Sequence, residues 1–99
     1  ELLRIDENSI DALNISSVVL RGLGRISESI ENSKKILTID ENVPTALFNL
    51  GFTLTEQKKY PEALRYIIRF LEVNTTDPNA PIEEAKELRD KLIEKIQSK

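Results

Sequence analysis

Apolar residues along the chain recur at helical rather than strand spacing. From Pro44 to Gln57, Leu47, Leu50, Gly51 and Leu54 fall on one stripe. From Tyr60 to Val73, Ala63, Leu64, Ile67, Phe70 and Leu71 do the same, so two amphipathic helices are predicted. Pro44 and Pro61 suit first helical turns, where a missing N–H costs no hydrogen bond, and Lys58-Lys59 forms the short turn between the two helices. The preceding stretch predicts helices over 10–22 and 27–39 that flank Gly22-Leu23-Gly24-Arg25. No strand pattern precedes these glycines and no Gly-Lys-Ser/Thr follows them, so they end a helix rather than cradle a phosphate. Pro81 opens a last helix to about Gln97, with Ile82, Ala85, Leu88, Leu92 and Ile96 on one side.

The chain also repeats itself. The offset that places Leu3 on Leu37 also places Ile5, Asp6, Glu7, Asn8, Ala12 and Leu13 on Ile39, Asp40, Glu41, Asn42, Ala46 and Leu47, each an identity. Further along, Leu20 falls on Leu54, Glu28 on Glu62 and Leu37 on Leu71, while Ile30/Leu64 and Ile36/Phe70 keep apolar character. Leu2, Leu3 and Ile5 align with Ile36, Leu37 and Ile39, the end of a second helix. The chain is therefore expected to begin inside a repeat and to be a segment of a longer repeat protein.

This helix-turn-helix unit resembles the tetratricopeptide repeat. The family pattern of Trp-x2-Leu-Gly-x2-Tyr followed by Ala-x3-Phe is similar in spacing to Leu47-x2-Leu50-Gly51-x2-Leu54 and Ala63-x3-Ile67. Leu47, Leu54 and Ile67 replace aromatic residues, and Glu41 and Thr75 replace the closing proline. Ser17, Ser29, Gly51 and Ala63 are small where the family brings two helices close together. The resemblance covers Leu3 to Val73. It implies an all-α fold: an α-solenoid of antiparallel helix pairs, a tetratricopeptide-like superhelix, with a C-terminal capping helix. On that reading residues 1–9 are the tail of a preceding second helix, 10–43 and 44–77 are repeat units, and 78–99 form the cap. The last helix carries five acidic and five basic residues between Ile82 and Lys99, as the polar outer face of a cap would. A coiled-coil arm is the lesser reading, since its heptads would place Lys95 in the seam.

Composition narrows the function. The chain has no cysteine and no histidine, which excludes disulfides, Cys/His zinc sites, cysteine nucleophiles and histidine triads. No nucleophile–base constellation remains, so neither enzyme activity nor a cofactor is expected. Adjacent acids at Asp6-Glu7, Asp40-Glu41 and Glu83-Glu84 lack calcium-loop spacing and read as solvated helix ends. With 14 Lys+Arg against 17 Asp+Glu the net charge is −3, and no basic run exceeds a pair, so no nucleic-acid partner is expected. No apolar stretch reaches bilayer length, so no membrane partner is expected either. Absence of cysteine fits a reducing compartment, and the expected location is cytoplasmic.

The resemblance implies that first helices line a concave wall that binds peptides or protein segments. First-helix residues off the packing stripe are then the candidates: Asn14, Ile15 and Val18 in one unit, and Thr45, Phe48, Asn49, Phe52 and Thr55 in the next. Phe48 and Phe52 lie one helical turn apart and would project side by side. A patch of this kind would accept a partly hydrophobic peptide or helix. The alternative is that the two rings only fill space between repeats. One family subclass grips chaperone-tail carboxylates with Lys and Asn residues; Asn49 matches one of them, but Asn14, Val18, Thr45, Asn79 and Glu83 occupy the other places, so that clamp is not expected. The alternative function is a structural or oligomerisation segment that self-associates through an open N-terminal end, where Ile10, Leu13 and Leu20 would lack a neighbour.

Overall fold

A computed structural model describes residues 9–73 and 78–98. They form five helices, α1 (Ile10–Gly22), α2 (Ile26–Ile39), α3 (Pro44–Glu56), α4 (Tyr60–Glu72) and α5 (Ile82–Gln97), and no strand occurs among the described residues. The chain is all-helical. Helix ends lie within a residue of those expected from the apolar periodicity. The expected tail of a preceding helix over residues 1–9 lies outside the described residues except for Ser9, whose Oγ accepts the Ala12 N–H at 3.0 Å and caps α1. The Asn74-Thr75-Thr76-Asp77 junction also lies outside them.

The turn from α1 to α2 and the turn from α3 to α4 have the same hydrogen bonds. Arg25 N–H donates to Leu20 O at 2.8 Å and Lys59 N–H to Leu54 O at 2.9 Å; Gly24 N–H donates to Arg21 O at 3.0 Å and Lys58 N–H to Thr55 O at 2.9 Å. Each turn needs one residue in the left-handed region, supplied by Gly24 at φ 81° and by Lys58 at φ 62°. A glycine adopts that conformation freely, whereas Lys58 holds it against its own Cβ.

Neighbouring helices pack in pairs, α1 on α2 and α3 on α4, with α2 also on α3 and α4 on α5; α3 and α5 meet at only a few positions. The main core lies where α3, α4 and α5 converge and contains Leu47, Leu50, Leu54, Ala63, Ile67, Phe70, Ala85 and Leu92. A smaller cluster of Leu13, Ile36 and Ala46 joins the first pair to the second. Within each pair the close approach is made differently. Gly51 lies against Ile67 and the Ala63 carbonyl, so that a Cβ at position 51 would run into Ile67 Cγ1 and Cδ1. At the equivalent place α1 and α2 use buried serines: Ser29 Oγ donates to Ser17 O at 2.8 Å and Ser33 Oγ to Ser17 Oγ at 3.3 Å. One crossing pairs nothing with a large side chain, the other pairs two small polar ones. Both bring the backbones together.

Candidate functional site

The site is built by two helices that are separated in sequence and lean on a third. Phe48 and Phe52 occupy successive turns of α3, their rings stacked with centroids 6.3 Å apart and planes 15° from parallel. Phe48 is half-buried because its ring rests on Phe70 of α4, at 5.4 Å and tilted by 53°. Phe52 stands further out and keeps 38% of its surface exposed. The Arg21 guanidinium of α1 lies 5.3 Å from its ring centre, a cation–π contact that ties α1 to this edge of α3.

Opposite these rings α5 presents Glu84, Glu87, Leu88 and Lys91, which with Phe48 and Phe52 line a groove of about 230 Å³. The four α5 residues follow the i, i+3, i+4, i+7 pattern of one helical face, so they turn to α3 together. Ala85 and Leu92, on the adjoining face, are buried in the main core and fix the rotation of the helix. The floor is thus apolar, formed by Phe48, Phe52 and Leu88, and the rim is charged. Lys86 pairs with Glu83 at 3.8 Å and Arg89 with Asp90 at 3.1 Å, but Glu84, Glu87 and Lys91 make no ion pair with any described residue. Glu87 and Lys91, four residues apart on α5, therefore do not pair with each other.

The other sequence candidates are dispersed. Ile15 and Val18 are exposed on α1 and do not line the groove. Asn14 is half-buried, with its Oδ1 removed from solvent and no hydrogen-bond partner among the described residues. Thr45 is exposed in the first turn of α3, and Asn49 is half-buried. Thr55 spends its hydroxyl on its own helix, donating to Gly51 O at 2.7 Å. Of the eight candidates only Phe48 and Phe52 share the groove with α5.

No family model matches the chain, and no curated protein matches it.

Two other depressions, of about 610 and 470 Å³, are lined mainly by polar side chains. One, lined by Glu41, Asn42, Arg69, Glu72 and Val73, already has Arg69 committed to Glu41 O at 2.8 Å. The other runs between α2 and α4 and is crossed by the Lys34–Glu62 ion pair at 3.4 Å. Among the described residues no three His, Cys, Asp or Glu side chains gather into a set that could hold a metal ion, and no helix is long and apolar enough to cross a membrane. Sequence reasoning missed the α5 half of the groove. The available signal was the helical spacing of Glu84, Glu87, Leu88 and Lys91.

Proposed function

We propose that this chain is a tetratricopeptide-type interaction module, an α-solenoid segment that binds a peptide or protein segment and does no chemistry of its own. The carrying observation is the apolar groove between α3 and α5, where Phe52 remains 38% exposed beside the half-buried Phe48. A lone exposed aromatic would need no explanation, but two stacked rings facing a third apolar side chain in a concavity mark a contact surface. The turn that recurs with the same hydrogen bonds in both helix pairs, the close helix approaches at Ser17 and Gly51 and the capping position of α5 support the repeat reading. On this reading the concave wall comprises Asn14, Ile15, Val18, Thr45, Phe48, Asn49, Phe52 and Thr55, the partner is a protein in the cytoplasm, and neither nucleic acid nor membrane is engaged.

Affinity capture from a native-cell lysate, comparing the chain with a Phe52→Glu variant, tests the proposal. Phe52 is the right position because Phe48 supports the core through Phe70, so a charge at 48 would confuse binding with folding. A protein held by the parent and lost by a variant of equal helicity is the expected result. Equal retention by both would overturn the assignment.

A second reading is self-association through the N-terminal end. The residues expected to lack a neighbour there are covered, Leu13 being buried against Ile36 and Ala46 with Ile10 packed on that cluster and Leu20 half-buried, so the reading rests on one comparison at another position of α1. Val19 of α1 is 53% exposed, whereas Thr53, its counterpart one repeat later, is 2% exposed, in a helix that packs on α2. The α1 face equivalent to a covered one is thus open. If a second copy covers it, sedimentation velocity gives a mass that rises with concentration for the parent and remains monomeric for Val19→Lys. A parent that stays monomeric throughout ends this reading.

A further inference from the structure

We propose that the α3–α5 groove takes a peptide segment carrying an aliphatic or aromatic side chain beside a Lys or Arg, the apolar group on the Phe48–Phe52–Leu88 floor and the cation at Glu84 and Glu87. This rests on the interaction-module reading and names the partner chemistry. Size sets the first requirement. At about 230 Å³ the groove is smaller than the roughly 300–1,000 Å³ of pockets that enclose a small-molecule ligand, so it fits one anchoring side chain of a longer segment. The floor excludes a purely polar anchor, because burying unpaired polar groups against three apolar side chains costs free energy with nothing in return.

Charge sets the second requirement. Glu84 and Glu87 stand one turn apart on the α5 wall, and both lack an ion-pair partner among the described residues, although other acids of the same helix have found theirs. A cation placed next to the anchor would meet two carboxylates at once. An acid in the same place would meet like charges, a repulsive element that discriminates as much as the attractive one does. Lys91 lies one turn beyond Glu87, and so gives the groove a polarity along α5 with the acidic pair towards the start of the helix. Arg21 is held over the Phe52 ring from α1 and is not among the residues that line the groove.

The test uses the isotope-labelled 99-residue chain and capped peptides that share a central Leu in a Gly/Ser background and differ only in the residues flanking it: Arg, Ser or Glu. Amide shifts are followed through a titration with each. The Arg peptide is expected to move the signals of Phe48, Phe52 and Leu88 and to bind about three- to tenfold more tightly than the Ser peptide, the range that two exposed ion pairs supply. The Glu peptide should bind weakest, and added salt should narrow the differences. Glu84→Lys/Glu87→Lys, two exposed positions outside the core, should reverse the order. If the Arg, Ser and Glu peptides move the groove signals with equal affinity, the cation preference fails while the interaction-module reading stands. If no peptide moves the groove signals, that reading fails at this groove and takes the inference with it.

Discussion

Replacing Phe70 with Ala is expected to lower the unfolding free energy by about 3–5 kcal/mol, the range for truncating a fully buried aromatic. Phe70 is buried on α4 within the cluster that joins α3 to α5, and it is among the largest side chains fully removed from solvent. Truncation loses the transfer free energy of a ring and leaves a cavity that Leu47, Leu50, Ala85 and Leu92 cannot all collapse into, because they are held on different helices. For a domain whose whole stability is typically about 5–15 kcal/mol, such a loss brings the folded state close to its limit. Urea titration followed by far-ultraviolet circular dichroism measures it, the chain having no Trp to report by fluorescence. Ile68→Ala, on the same helix but 38% exposed, serves as control and should cost far less. A Phe70→Ala loss no greater than that of the control would contradict the packing of α4 between α3 and α5. The consequence reaches the groove as well. Phe48 rests on Phe70, so the variant that still folds should bind less tightly than its residual helicity suggests.

Local order is what the sequence carries well here. Proline at 44 and 61 and glycine at 22 and 24 punctuate the chain, apolar residues keep a helical period between them, and the internal repeat carries that period through both helix pairs. The close approach at Gly51 is legible too, since a glycine inside a helical stripe needs a packing reason. What the sequence conceals is how helices not adjacent in the chain face one another. Glu84, Glu87, Leu88 and Lys91 come opposite Phe48 and Phe52 only because Ala85 and Leu92 seat α5 on α4 at one rotation, and α4 in turn seats Phe70 under Phe48. That chain of contacts has no local signature. Arg21 lies near the end of α1, but its position over Phe52 depends on the α1–α3 spacing, which the intervening α2 sets. Position along a helix identified Ile15 and Thr55 as readily as Phe48. Only the packing separates a residue at the groove from one on an open face or one bonded to its own backbone.

Gly51→Ala is the sharper test of the packing, because helix propensity and tertiary packing predict opposite signs. In an open helix the change is stabilising by about 1 kcal/mol, since alanine restricts the unfolded chain and suits helical dihedrals. In α3 the new Cβ meets Ile67 Cγ1 and Cδ1. Ile67 is fully buried and β-branched, so its χ1 has one strongly preferred helical setting and the side chain has no room to swing aside. Overpacking of this kind costs about 1–3 kcal/mol, and the net expectation is a destabilisation of up to about 2 kcal/mol. The equivalent crossing in the first pair shows how the conflict is avoided: Ser17 has its Cβ, and the residue facing it is Ser33 rather than isoleucine. The same relief can be built into the second pair. In an Ile67→Ala background the obstructing atoms are gone, leaving the Ala63 carbonyl at 3.4 Å as the nearest neighbour of the added Cβ. Gly51→Ala should there become neutral or stabilising by up to about 1 kcal/mol. The coupling, read from the double-mutant cycle by chemical denaturation, isolates the contact from propensity because propensity is the same in both backgrounds. An equal penalty in both would place the cost in the backbone of α3 and not in its approach to α4.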